Sequence, residues 1–118
     1  MMNYDAADAF CKKHDMVVAN IKDKEGYDAL VKAIRAKIPE GEFNVYIWIG
    51  TTVDLKTGKT TPQNVFTKWK IAFPIKYDDP WLSSFSNVIL VVDADLDTST
   101  GMRDWHSRVN GVLCQMSN

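Results

Sequence analysis

The segment Val45-Tyr46-Ile47-Trp48-Ile49-Gly50 decides the fold of this chain. Its first five residues are β-branched or aromatic, the types that favour a pleated strand, and a glycine then interrupts the run. Since all five are apolar, we expect a buried strand that ends at Gly50. The rest of the chain is best understood from this strand outward.

Two amphipathic helices are predicted upstream of this strand. From Tyr4 to Lys13 the apolar residues recur on one side at helical spacing, and Asn3 is available as the N-cap. The second helix is expected to begin after Asp23 and to end before Pro39, with a short strand from Met16 to Ile21 between the two. Amphipathic helices of this kind usually pack their apolar faces on a common core.

Downstream, the sequence predicts strands that are interrupted by one long loop. Residues Lys56 to Lys59 are typical of a hairpin turn, and Val65 to Ile71 of a strand. The stretch from Ala72 to Asn87 contains two prolines and several serines, and loops of that length are usually functional or disordered. An apolar strand from Val88 to Val92 follows, and a last strand runs from about Val109 to Met116. Two helices followed by strands indicate the α+β class.

Size and charge exclude several kinds of protein. The 118 residues fit one domain (1–118), and a net charge of −1 lacks the electropositive footprint of a nucleic-acid binder. No apolar run approaches the roughly 20 residues that cross a bilayer, so we expect no membrane insertion. The first residues show no signal peptide, which leaves open a cytosolic protein and a mature chain whose signal was removed.

The chain has two cysteines, Cys11 and Cys114, near its opposite ends. Composition alone favours two free thiols, since a secreted scaffold of this size usually carries more cysteines. Their placement also suits a disulfide that ties the two ends together. In the chain-entropy model, closing a loop of about 100 residues contributes up to about 4.7 kcal/mol.

Residues along this order resemble the C-type lectin-like domain. The family's Trp-Ile-Gly strand is present unchanged as Trp48-Ile49-Gly50. Three further matches precede this strand: the aromatic, alanine and cysteine of the first helix (Tyr4, Ala7 and Cys11), a small apolar strand (Val17 to Ile21), and a glutamate in the second helix (Glu25). Three follow it: an aromatic and a tryptophan before the loop (Phe66 and Trp69), two aromatics inside the loop (Tyr77 and Trp81), and the closing triplet Leu113-Cys114-Gln115. Each motif is short, but seven in the right order extend the resemblance over nearly the whole chain.

The resemblance implies a C-type lectin-like fold, in which two helices flank small antiparallel sheets and a loop of about 72–87 faces the ligand. It also implies a Cys11–Cys114 disulfide, because the family pairs these two positions, and therefore a secreted or extracellular location. The family's second disulfide is absent, and its usual strand before Tyr4 is missing or clipped. We therefore expect the two termini to be less well tied together than is usual in the family.

Family members that bind sugar do so through calcium, which takes 6–8 oxygen ligands. Counted from Trp81, the first ligand triplet corresponds to Phe85-Ser86-Asn87, which lacks its carboxylate and its proline. The second corresponds to Met102-Arg103-Asp104, where Asp104 alone keeps its type and Arg103 would place a cation beside the ion. We therefore expect no metal and no cofactor, with calcium as an alternative that the sequence does not favour.

Two acidic stretches offer other calcium ligands. Asp78-Asp79-Pro80 supplies carboxylates beside a proline, but a tryptophan follows where a second carbonyl ligand is needed. Asp93, Asp95 and Asp97 alternate like the start of an EF-hand loop, yet the glycine and distal glutamate of that loop are missing. Carboxylates on a solvated face are the simpler interpretation.

The two histidines are better explained as surface residues beside a disulfide than as zinc ligands or catalytic groups. His14 and His106 with the two cysteines offer four zinc-ligand types, but their spacing matches no ligand pattern. A disulfide-bonded cysteine is no nucleophile, and no nucleophile–base–orienter set can be assembled. We expect no catalytic residue and no enzymatic activity.

The predicted ligand-binding residues lie near the loop face: Trp81, Phe85, Asn87, Arg103, Asp104 and Trp105. Their aromatic members either fill the core or stack on a sugar or protein partner, whereas Trp48 and Trp69 are expected in the core. Lys68, Lys70 and Lys76 either form a solvated face or attract an anionic ligand.

The expected function is non-enzymatic recognition of a glycan or protein ligand through the long-loop face, without the usual calcium bridge. Two alternatives stay open. One is a calcium-dependent, carbohydrate-binding lectin with a degenerate site, and the other is an extracellular structural or matrix-assembly protein.

Overall fold

A computed structural model of the chain describes residues 1–70, 85–95 and 99–116. Within them lie two helices, α1 (Tyr4–Lys13) and α2 (Lys24–Lys37). The strands in the same residues are β1 (Met16–Val18), β2 (Asn44–Asp54), β3 (Thr60–Thr61), β4 (Phe85–Asp93), β5 (Gly101–Trp105), β6 (Gly111–Val112) and β7 (Cys114–Met116). Helices and antiparallel sheets in one compact body confirm the predicted α+β class.

Both helices begin where the sequence predicts. The Asn3 side chain accepts a hydrogen bond from the backbone N–H of Ala6 at 2.9 Å and so caps α1. The Asp23 carboxylate does the same for α2, accepting from the N–H of Gly26 at 2.7 Å. The second helix stops before Pro39, as expected.

The Trp-Ile-Gly segment lies in the middle of a five-stranded sheet with the order β3-β2-β4-β5, in which β6 also pairs with β2. Strand β2 runs antiparallel to β4 from Asn44 opposite Asp93 to Asp54 opposite Phe85. It is longer than predicted, because a bulge between Ile49 and Thr52 lets the ladder continue past Gly50.

Successive residues of β4 point to opposite faces of this sheet and build two cores. On one face Val88, Leu90 and Val92 join the buried side of α2. On the other face Ile89 and Val91 pack with Trp48 and with Ala7 of α1. The sheet therefore separates an α2 side from an α1 side.

The ends of the chain are joined covalently and by hydrogen bonds. Cys11 in α1 and Cys114 in β7 form a disulfide with an S–S distance of 2.08 Å, and β7 pairs with β1 in a separate two-stranded sheet. Met2 and Val109 exchange two backbone hydrogen bonds of 2.9 Å. The disulfide confirms the pairing that the resemblance implies, and the Met2–Val109 bridge replaces the loose terminus that we expected.

Four other predicted boundaries differ from the structure. The short strand predicted from Met16 to Ile21 ends at Val18. Residues 65–70 form only an isolated bridge, Trp69 with Met102, because their backbone hydrogen bonds are divided between Ile21 and Met102. Phe85, Ser86 and Asn87, predicted as loop, begin β4. Residues 72–84, the rest of the predicted loop, lie outside the described residues, and so does Ile71, the predicted end of the preceding strand. The last predicted strand is divided into β6 and β7, since Leu113 between them bonds to Trp48 and Ala19 instead.

In the described part of the chain, no helix is both long and apolar enough to cross a membrane.

Candidate functional site

The pairing of β4 with β5 brings three of the predicted ligand-binding residues together. Asn87 lies opposite Trp105 in the ladder, and Phe85 shares the face of Asn87 because side chains alternate along a strand. These three residues border an open cavity of about 230 Å³ that Tyr4, His106 and Ser107 also line. We call it the aromatic cavity; Asn3, Trp48 and Ser86 complete its lining.

The floor of the aromatic cavity is fixed by contacts to α1. The rings of Tyr4 and Trp48 meet edge to face, with centroids 5.5 Å apart, and the Trp48 indole N–H donates to the carbonyl of Met2 at 3.0 Å. Burial, and then the negative charge of Asp8, raise the pKa of the Tyr4 phenol. Tyr4 therefore stays neutral at physiological pH and offers a hydroxyl rather than a charge.

Trp105 forms a rigid wall of the aromatic cavity. Its ring meets Tyr46 edge to face at a centroid distance of 5.2 Å, and the guanidinium carbon of Arg103 lies 4.6 Å from its centroid. Among the described residues its indole N–H has no hydrogen-bond acceptor, although the atom is buried. A buried N–H without an acceptor carries a free-energy cost of about 1–3 kcal/mol.

Phe85 supplies the accessible aromatic surface of the cavity, since its side chain is 65% exposed. Asn87 and the exposed His106 and Ser107 place amide, imidazole and hydroxyl groups around it. An apolar ring surrounded by a few hydrogen-bonding groups is the usual composition of a small binding site.

The two other described site residues, Arg103 and Asp104, do not line the aromatic cavity. Arg103 and Asp104 are neighbours in β5, so their side chains point to opposite faces of the sheet. Arg103 reaches the aromatic cavity only by stacking on Trp105, and its Nε donates to the Asp104 carbonyl at 3.2 Å. Asp104 is 7% exposed and lies opposite Val88, on the α2 side. Trp81 lies outside the described residues.

The described carboxylates and histidines do not converge. Among residues 1–70, 85–95 and 99–116, no group of three or more His, Cys, Asp or Glu side chains could hold a metal ion. Asp93 accepts from the backbone N–H of Asp95 at 2.9 Å, which makes a local turn. His14 is exposed and contacts the ring of Phe10. The remaining acidic candidates, Asp78, Asp79 and Asp97, lie outside the described residues.

The two tryptophans predicted for the core differ in burial. Trp48 is 1% exposed, as expected, whereas Trp69 is half-buried and packs against the edge of the α2-side core. Trp48 also belongs to the floor of the aromatic cavity, a role that the sequence did not predict.

Several lining residues of the aromatic cavity were missed in the sequence. His106 and Ser107 directly follow Trp105, so extending the predicted site by two residues would have found them. Asn3 and Tyr4 come from the start of α1, and only the tertiary fold brings them to β4. No family model matches the chain, and no curated protein matches it in sequence. A proposal for its function therefore rests on these side chains and on the resemblance of the sequence to the C-type lectin-like domain.

Proposed function

We propose that this chain is a recognition domain of the C-type lectin type that binds a glycan or protein ligand at the aromatic cavity without a bridging calcium ion. The observation that carries the proposal is the convergence of Phe85, Asn87 and Trp105 on one face of the β4–β5 pair. No catalytic residue is assigned. The Cys11–Cys114 disulfide supports an extracellular location, because such bonds persist in oxidising compartments.

The size and lining of the cavity favour a small rigid group. Its volume of about 230 Å³ is below the roughly 300–1,000 Å³ of drug-sized ligand sites. One sugar ring or one protein side chain fits that space better than a larger molecule. The Phe85 ring would pack against the apolar face of that group, while Asn87, His106 and Ser107 would orient its polar atoms.

Two features support recognition without calcium. The side chains of Asn87 and Asp104, the oxygen-bearing remnants of the two family triplets, lie on opposite faces of the sheet. The cation of Arg103 is stacked on Trp105, beside Asp104 in the chain, where it would repel a divalent ion.

A paired glycan and extracellular-protein array, probed with and without EDTA, tests the proposal. Wild-type protein should give hits that persist in EDTA. Phe85→Ala should lose them because it removes the exposed ring, whereas Phe43→Ala, which removes an even more exposed phenylalanine outside the cavity, should keep them. Hits that vanish in EDTA, equal binding by Phe85→Ala and wild type, or no hit on either array would overturn it.

A further inference from the structure

A second and larger cavity lies on the other face of the five-stranded sheet. Its volume is about 580 Å³, and it runs along α2 opposite Lys68 and Thr100. We call it the basic groove, and its polar lining consists of Lys24, Asp28, Lys32, Arg35, Lys68 and Thr100. The buried side chains of Tyr27 and Val31, which belong to the α2-side core, form its floor. The sheet therefore separates it from the aromatic cavity.

The helix periodicity places the charges of the groove in line. Lys24, Asp28 and Lys32 follow one another at i, i+4 and i+8, so they form a single row on the surface of α2. Eight residues of helix rise about 12 Å, which separates the Cα atoms of Lys24 and Lys32 along α2. A single oxyanion would occupy only part of that length.

The charge of the groove contrasts with that of the whole chain. Among the described residues, four basic ones and one acidic one line it, in a protein whose net charge is −1. Lys24 and Asp28 form an ion pair at 2.7 Å, and the hydrogen bond and charge of Asp28 raise the pKa of Lys24. Lys32 and Lys68 are exposed, and neither has a carboxylate partner among residues 1–70, 85–95 and 99–116. A positive field is thus concentrated in one concave surface.

Two of the cations are held in position. The Nε of Arg35 donates to the Asp93 carbonyl at 2.9 Å, and one of its terminal nitrogens donates to the Thr100 hydroxyl at 3.2 Å. The Nζ of Lys68 lies 5.5 Å from the centroid of the Tyr27 ring. These contacts fix the walls before any ligand arrives, which reduces the entropy lost on binding.

We infer that the basic groove binds an anionic polysaccharide through its sulfate or carboxylate groups. Lys24 and Lys32, at the two ends of this row with Asp28 between them, and Lys68 across the groove match a chain with repeated charges better than a lone anion. Ammonium, guanidinium and hydroxyl groups are the donors that sulfate and carboxylate oxygens accept from. The inference goes beyond the proposed function, since it concerns another face of the sheet and recognition of a ligand through its negative charges.

The experiment measures binding of size-defined heparin fragments to the intact protein by calorimetry at two salt concentrations. The double variant Lys32→Ala/Lys68→Ala should bind roughly tenfold more weakly at low salt and show a shallower salt dependence, because two of the positive charges are removed. The matched control Lys56→Ala/Lys59→Ala removes two exposed lysines from the β2–β3 turn and should stay within about twofold of wild type.

Further arms identify the ligand class and separate the two sites. Neutral dextran should not bind, and Phe85→Ala should bind heparin like wild type because that ring lies on the opposite face. Absence of heparin binding by wild type, equal loss in both lysine variants, or tighter binding of poly-glutamate than of heparin would overturn the inference.

Discussion

At the scale of single residues, the close approach of two backbones explains the glycine of the Trp-Ile-Gly segment. A Cβ atom added to Gly50 would lie 2.6 Å from the carbonyl oxygen of Val18 and 3.3 Å from Oδ1 of Asn20. The N–H of Gly50 also donates to the Ala19 carbonyl at 2.7 Å. Any side chain here would push β2 away from the segment that follows β1.

Gly50→Ala should therefore destabilise the protein by about 1–3 kcal/mol, the usual cost of overpacking against an immobile backbone. Gly111→Ala is the matched control, since an added Cβ there meets no atom within 4 Å. Urea denaturation of both variants measures the difference. Equal stability of the two variants would show that the backbones around Gly50 can move apart without cost.

Burial of individual side chains could be predicted where it depends on local pattern. Trp48 lies in an apolar strand and is buried as predicted. The pairing of Trp105 with Asn87 could not be predicted, because it depends on the register of β4 and β5. Assigning Asp104 through the family's calcium triplet and Trp105 as a loop-face aromatic to one site overlooked the alternation of strand side chains.

At the scale of secondary structure elements, the helices were predictable because their signals are local. Capping by Asn3 and Asp23 and the stop before Pro39 all lie within a few residues of the helix ends. The strands were less predictable, since their ends depend on partners that are distant in the chain. Strand β2, for example, continues past Gly50 because β4 is long enough to pair with it.

Replacing the cap of α2 provides a test at this scale. Asp23→Ala should cost about 1 kcal/mol because the N–H of Gly26 loses its acceptor, whereas Asp23→Asn should cost much less. Thermal or urea melts of the two variants give the comparison. If both substitutions cost the same, the carboxylate charge at the helix start, and not the hydrogen bond, stabilises α2.

At the scale of the whole molecule, the disulfide connects α1 to β7 across 103 residues of sequence. Replacement of Cys11 and Cys114 by alanine should lower the free energy of unfolding by about 2–5 kcal/mol, mainly because the unfolded chain gains freedom. Urea denaturation is the measurement. Reduction of the wild type should have a similar effect, and a double variant as stable as the oxidised protein would contradict the expectation.

The two faces of the five-stranded sheet carry cavities whose linings differ in chemistry. The α1 side carries the aromatic cavity, and the α2 side carries the basic groove. A neutral ligand and an anionic one could therefore bind together without competing. The groove could not be predicted from the sequence, because only the fold brings Lys68 beside α2. The register of the sheet likewise depends on contacts between distant parts of the chain.

Calcium titration tests the central claim, recognition without a calcium ion, most directly. Isothermal titration and thermal melts in millimolar Ca²⁺ and in EDTA should be run on wild type, Arg103→Asn and Asp104→Ala. We expect no saturable heat and an unchanged melting temperature for wild type, because a ligand that binds only the folded state would raise it. Arg103→Asn should show at most a weak response. A saturable calcium response in wild type that disappears in Asp104→Ala would contradict the account and establish a calcium-dependent site instead.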